Sequence, residues 1–307
     1  MIYIIYIIKL IYIIYIIKLI FIDLFFILKV CHHLLDPRIN ESCSTFVGRL
    51  ATVLITKAGQ FIGNDNIHLL LRAILVKLQS TETLSVIQGL LLVFAHLINY
   101  DLNSVLDFLS SLPAPNGTQS ALEFVLQNWL SRQHLFFGNY EKKVSLFALC
   151  KLLEHSITNS SNNLNLNHIT VAGDILVSNS PGIKTRSRAA SEPIQWSQIP
   201  CSVKILKLLL GELKAFEELN EAQNDYDEEN SDNEEDDDAG VVYGLNDEDW
   251  TDTGIDVDDE DVLNDEVGNM NLEKYLHDVI HEFKKIPQAN DFFSNLTDLE
   301  KITFNKA

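Results

Sequence analysis

Cysteine is scarce in this chain. Its four thiols, Cys31, Cys43, Cys150 and Cys201, lie far apart in 307 residues with no Cys-x-x-Cys pair. That excludes the dense disulfide framework of a small secreted domain and favours a reducing compartment. Catalytic signatures are missing too: the chain has no Gly-rich phosphate loop and no Gly-x-Ser-x-Gly elbow, so nothing marks it as an enzyme and no cofactor is expected. Period-two alternation of apolar and polar residues, the mark of a strand, does not persist through the helical stretches. The most informative absence is local. Between Glu217 and Glu266 there is no Lys or Arg, while 24 of the 43 acidic residues fall there. The remaining 19 acids face 23 bases, so the formal charge of −20 belongs to one tract on an otherwise nearly neutral protein. Such a tract implies a basic partner, not nucleic acid or an anionic membrane surface.

What is present begins oddly. The nonapeptide IYIIYIIKL runs from Ile2 to Leu10 and repeats unchanged from Ile11 to Leu19. By hydropathy, residues 2–30 are long enough for a spanning helix, which needs ~20 apolar residues. The perfect repeat, the narrow residue set and the lysines inside the run favour a gene-model artefact over residues 1–30, with a membrane anchor as the alternative.

Beyond it lies helix after helix. "TFVGRLATVLITKAGQFI" places Val47, Leu50, Ala51 and Leu54 on one face and Arg49 and Lys57 on the other. "NDNIHLLLRAILVKLQS" follows, with Asn64 or Asp65 as the expected N-cap. "TETLSVIQGLLLVFAHLIN" begins at a Thr81 or Thr83 cap and runs through Val86, Leu90, Val93, Phe94 and Leu97. A separate short helix, "DLNSVLDFLSSL", stops at Pro113 and Pro115. "ALEFVLQNWLSRQHLFF" and "YEKKVSLFALCKLLEHSI" complete this part. Several of these helices are apolar over more than half their circumference, so each needs neighbours on both sides. Stacked helix pairs of ~40–47 residues supply them, and the fold class is all-α: a solenoid of such repeats with a long acidic loop. The expected organisation is repeat helices over 31–157, an extended Asn- and Ser-rich insertion over 158–200, a further helix over 201–219, the acidic loop over 220–269 and C-terminal helices over 270–307.

The segments "FVGRLATVLITKAG", "LRAILVKLQSTETLSVIQGLLLVFAHLIN", "LEFVLQNWLSRQHLFFGNYEKKVSLFALCKLLEH" and "GIKTRSRAASEPIQWSQIPCSVKILKLLLGEL" carry a resemblance. In order, spacing and rare residues (Trp129 with Arg132, Gln133 and His134, then Gly138, Tyr140, Thr185-Arg186-Ser187 and Trp196) the chain resembles the C-terminal part of the importin-β (karyopherin-β) family of nuclear transport receptors. The resemblance implies a HEAT-repeat solenoid that carries basic cargo, such as core histones and ribosomal proteins, between cytoplasm and nucleus. It also implies coupling to Ran-GTP and contact with nucleoporins. Family members are about three times longer with ~20 repeats, so this chain reads as a truncated copy, without the N-terminal repeats that mainly grip Ran.

The expected partner-binding residues are the carboxylates Asp225, Asp227, Glu228, Glu229, Asp232, Glu234, Glu235, Asp236, Asp237, Asp238, Asp247, Glu248, Asp249, Asp258, Asp259, Glu260 and Asp261, with Trp250 among them. Carboxylates at this density compete with phosphates for the Lys and Arg of a histone, and an aromatic ring adds contact with Arg. A solvated loop that only keeps the protein soluble is the plainer reading. Arg132, with His134, Lys142 and Lys143, is either a partner contact or a solvated helix end. Arg186 and Arg188 are placed to dock on the chain's own acids, and Arg188 with Ser191 fits a basophilic kinase site. His277 and His281 stand one helical turn apart beside Glu282, but the Glu that zincins carry next to the first His is missing, so they read as polar-face histidines and no metal is expected. Two other readings stay open: a stand-alone acidic histone chaperone or scaffold, and a membrane-anchored helical protein.

Overall fold

The computed structural model describes residues 22–115, 117–158, 166–176, 195–231 and 265–307, with backbone alone at 175–176, 195 and 221–231. The nonapeptide repeat lies outside the described residues. The chain divides into two compact units, Met1–Tyr100 with Asp107–Val125, and Asp101–Leu106 with Leu126–Ala307.

The first unit is built from helix α1 at residues 22–34, α2 (Val47–Ile62), α3 (Asn64–Ser80) and most of α4 (Leu84–Ser111). The face expected on α2 is the one that is buried: Val47, Ala51 and Leu54 point inward, and Arg49 and Lys57 are exposed. One residue, Gly63, separates α2 from α3, and the start of α3 has no side-chain cap, so neither Asn64 nor Asp65 serves as one. The cap of α4 comes from elsewhere. Thr83 holds the N-cap position without a side-chain bond to its own helix, while Glu41, far back in the chain, accepts the amides of Glu82 at 3.0 Å and Thr83 at 2.7 Å. A carboxylate there satisfies orphan donors and suits the positive end of the helix. Lys77 is buried yet satisfied, its ammonium donating to the carbonyls of Asp36 at 3.2 Å and Ile39 at 2.9 Å.

α2 and α4 meet backbone to backbone. A Cβ built on Gly48 would run into the carbonyl of Gly89, so only glycine permits the crossing. α4 is long and apolar enough to cross a membrane by length and composition. It is nevertheless a core helix, burying Val86, Leu90, Leu91, Val93 and Phe94. It breaks at Asp101, where φ −148° and ψ 89° leave the helical region. The Asp101 carboxylate accepts the Ser104 amide at 3.2 Å and its hydroxyl at 2.6 Å, capping the second half. The two helices expected from the sequence are thus distinct, meeting at Asp101, and the second ends ahead of Pro113.

The second unit holds the end of α5 (Ala121–Arg132), α6 (Asn139–Thr158), α7 (Cys201–Ser231) and the C-terminal helices α8 (Leu272–Lys284), α9 (Ala289–Phe293) and α10 (Asp298–Lys306). Its centre is a buried triangle. The Trp129 indole N–H donates to Gln133 Oε1 at 2.9 Å and Ser145 Oγ at 2.8 Å, and Ser145 Oγ donates to Gln133 Oε1 at 2.5 Å. Around the C-terminus, Phe283 packs edge-on against Phe292 and Phe304, with centroids 5.3 and 6.2 Å away.

One structure departs from the extended insertion expected over 158–200: strands β1 (Thr170–Leu176) and β2 (Gln195–Pro200) pair antiparallel. The register runs Thr170↔Pro200, Val171↔Ile199 and Ala172↔Gln198, then slips before Ile175↔Trp196. The irregularity falls at Gly173 and Asp174, where Ser197 Oγ accepts the Asp174 amide at 2.8 Å. That hydroxyl fills the space a side chain on Gly173 would need. The bulge interrupts the alternation by which strands are recognised. Among the described residues this hairpin is the sole sheet, and the fold is otherwise all-α.

Candidate partner-binding site at the root of an acidic loop

α7 leads into the acidic tract and the segment beginning at Asp265 leads out of it. Both ends are fastened within the second unit. Asp265 Oδ2 accepts the Tyr140 hydroxyl of α6 at 2.7 Å, and Lys143 Nζ, one turn along the same helix, donates to the Gly268 carbonyl at 2.9 Å. Asn271 then caps α8, accepting the Lys274 amide at 2.9 Å. α8 buries Leu272, Leu276, Ile280 and Phe283, and its Tyr275 ring lies 5.1 Å from Phe147 of α6. Burial there pushes the Tyr275 hydroxyl above its ordinary pKa. Across the root, Asn220 Nδ2 of α7 donates to Glu273 Oε1 of α8 at 3.1 Å. Residues 53 apart in sequence therefore touch, so α7 at Asn220 lies beside the helix that follows the tract.

The C-terminal helix closes the other side of α7. Lys306 reaches Glu217, the first acid of the tract, at 3.4 Å. Lys207, its side chain only 5% exposed, bridges Asp174 of β1 at 2.7 Å and Glu300 of α10 at 3.0 Å. Burial by itself would lower the Lys207 pKa, but the bonds to Asp174 and Glu300 outweigh it and hold the ammonium above the ordinary lysine value. Glu300 is oriented in turn by a capping box with Thr297. One lysine thus ties the hairpin, α7 and α10 together.

The expected site residues divide accordingly. Asp225, Asp227, Glu228 and Glu229 lie on the helical backbone of α7, which continues to Ser231, well past the boundary expected at 219; their side chains are outside the described residues. Asp232, Glu234, Glu235, Asp236, Asp237, Asp238, Asp247, Glu248, Asp249, Trp250, Asp258, Asp259, Glu260, Asp261 and Arg186 lie outside the described residues altogether, as do Arg188 and Ser191. Arg132 turns back along its own helix, donating to Asn128 Oδ1 at 2.9 Å and to the Asn128 carbonyl at 3.3 Å. His134 is exposed, and Lys143 holds the turn at Gly268 that follows the tract. Sequence reasoning missed Tyr140, Asp265 and Lys207 as organisers of the root. Tyr140 alone left a trace, among the rare residues of the resemblance. Among the described residues no group of three metal-ligating side chains gathers.

Packed helices with one hairpin among the described residues, and an acidic stretch of sequence flanked by α7 and α8, define, in kind, a helical-repeat protein. Residues 12–181 match a protein family described as importin-11-like, TPR repeats. Importin-9 of Drosophila melanogaster is 38% identical over 248 residues, which are 80% of this chain and 21% of that protein. Importin subunit beta-5 of Saccharomyces cerevisiae is 30% identical and its Schizosaccharomyces pombe namesake 28% identical, each over 187 residues, 61% of this chain and 18% of theirs. The chain belongs to the importin-β family of nuclear import receptors. It spans 18–21% of the length of these relatives.

Proposed function

We propose that this chain is a cargo-holding portion of a nuclear import receptor, binding basic proteins such as core histones and ribosomal proteins through its acidic loop and helical surface. The observation that supports this reading is the tract itself: 24 carboxylates and no Lys or Arg between Glu217 and Glu266, with Asn220 meeting Glu273 across its root. Fixing both ends of the tract limits how far its charges stray, which raises their effective concentration beside the helical surface. The attraction is electrostatic, so it falls as salt shortens the Debye length to about 10 Å at 0.1 M. In this reading the receptor shuttles between cytoplasm and nucleus, Ran-GTP releases or remodels the cargo complex, nucleoporins are further partners, and the chain performs no catalysis.

A second reading, a histone chaperone without transport activity, draws on the same tract, because carboxylates shield a histone whether or not the complex moves. Binding indifferent to Ran-GTP would mark it. The test is a titration of the whole chain with a fluorescent core histone dimer at about 0.1 and 0.4 M salt. A variant with every Asp and Glu of residues 232–261 changed to Asn or Gln is run alongside. The reading expects sub-micromolar affinity that weakens with salt and drops at least tenfold in the variant. Equal affinity for both chains overturns it.

A further inference from the structure

A cleft of about 350 Å³ opens on the first unit between the end of α1 and α3. The turn after α1 supplies Leu35, Asp36 and Pro37, and α3 supplies Arg72, Ala73 and Val76. Leu35, only 1% exposed, is an apolar floor, whereas Pro37, Arg72 and Val76 are open to water. Leu69, one turn before Ala73 on the same face of α3, extends the apolar surface and is 53% exposed. The charges around the cleft do not cancel. Arg38 pairs with Asp36 through two bonds, Nε to Oδ1 at 2.9 Å and Nη2 to Oδ2 at 2.5 Å, and holds that carboxyl well below the usual range. The buried Lys77 ammonium donates to the Asp36 and Ile39 carbonyls, and the acid that feels its charge is Glu41. His32, the remaining lining residue, adds no negative charge. Asp36 with Arg38 and Glu41 with Lys77 sum to zero. One positive charge is left, on Arg72, which has no hydrogen-bond or ion-pair partner among the described residues.

We propose that this cleft binds a segment of a partner protein that sets an apolar side chain beside a carboxylate, the side chain covering Leu35, Ala73 and Val76 and the carboxylate taking the Arg72 guanidinium. Charge selects the sign of the occupant: a basic segment is repelled by Arg72 and finds Asp36 already taken by Arg38. The guanidinium presents its N–H donors in a planar fork that fits a carboxylate with two bonds. The exposed rim selects the size. A site that holds a small molecule encloses most of its surface, which this cleft cannot do, so its occupant needs the further contact along α3 at Leu69 that a peptide chain supplies. The cargo-holding reading concerns basic partners through the acidic tract; this cleft adds a partner of the opposite charge and stands independently of it.

The probe is a fluorescein-labelled short peptide with a central phenylalanine flanked by aspartates, titrated with the whole chain by fluorescence anisotropy at about 0.3 M salt, where repulsion from the acidic tract is screened. Two counterpart peptides carry alanine for the phenylalanine or lysines for the aspartates. The variants Arg72→Gln and Arg72→Glu alter an exposed helix position with helix-compatible residues, and circular dichroism checks that the fold is kept. Arg72→Gln should weaken the aspartate peptide about threefold, and the alanine peptide should bind about tenfold more weakly than the phenylalanine one. Arg72→Glu should reverse the preference, so that the lysine peptide binds better than the aspartate peptide. The inference is overturned if Arg72→Gln binds the aspartate peptide as the parent does, if the alanine peptide binds equally well, or if the parent holds no peptide below about 1 mM. The tract-neutralised variant described above is run beside the parent. Binding at least tenfold tighter there gives the cleft to the chain's own acids and overturns the assignment to a partner protein. None of these outcomes touches the cargo-holding reading, which the histone titration tests separately.

Discussion

Gly48 and Gly89 face each other where α2 crosses α4, and changing each to alanine should have opposite effects. At Gly48 the new methyl would overlap the Gly89 carbonyl, a backbone group that cannot swing aside as a flexible side chain does. The helices must therefore separate, loosening the buried contacts of Val47, Ala51 and Leu54. Overpacking costs about 1–3 kcal/mol when side chains can adjust, and a backbone clash lies at the upper end or beyond. Alanine's better helix propensity returns about 1 kcal/mol, leaving a net loss of about 2 kcal/mol or more. At Gly89 the nearest atom to an added Cβ is the Thr45 carbonyl oxygen at 3.7 Å, an ordinary contact, so the propensity gain stands nearly alone at about 0.5–1 kcal/mol. A shift of about 2–4 °C per kcal/mol suits a chain of this size. Thermal melts followed at 222 nm should then show Gly48→Ala lower by at least ~4 °C and Gly89→Ala raised by ~1–4 °C. A Gly48→Ala protein that melts with or above the parent refutes the crossing.

Three further perturbations follow from the same geometry. Gln133→Leu removes an acceptor from the buried Trp129 indole and from Ser145, and urea unfolding should show a loss of about 1–3 kcal/mol. Lys207→Met strands Glu300 beside the apolar core; because Asp174 is half exposed, the loss is about 1–2 kcal/mol and not the 3–5 of a fully buried pair. The hydrogen bonds from Thr83 and the Glu82 amide hold the Glu41 carboxyl below the usual range. Its folded pKa is depressed, so its contribution is present above the unfolded carboxylate pKa and lost as pH falls through the folded value. The melting difference between parent and Glu41→Gln should be constant from pH 6 to 8 and begin to shrink only as the pH falls below the ordinary carboxylate range at ~4; a difference undiminished at pH 2 would contradict the cap.

The helices were legible because their apolar residues recur every three or four positions, and because Asp101 and Pro113 are punctuation that single residues supply. The hairpin was not, since the bulge at Gly173 and Asp174 spoils its alternation within a polar, Asn-rich stretch. Lys207 sits in "CSVKILKLLL", where Lys204 and Lys207, three residues apart, look like a solvated stripe. Its burial depends on Asp174 and Glu300, which meet it only after three separate elements have packed. Glu41 capping α4 is hidden for the same reason: a local rule points to Thr81 or Thr83, and a residue 42 positions away supplies the bond. The acidic tract was plain from composition, whereas the root that fastens it was not, because Tyr140 meets Asp265 across 125 residues.

The central claim is that the tract competes with nucleic acid for a basic cargo, and the most direct measurement is a displacement assay. A labelled core histone dimer is loaded on a short DNA duplex at about 0.15 M salt, and the whole chain or its tract-neutralised variant is added. The account predicts that the parent chain strips the histones from the DNA and that the variant leaves them bound. If the neutralised chain strips them as effectively, the carboxylates are not the cargo site and the account is wrong.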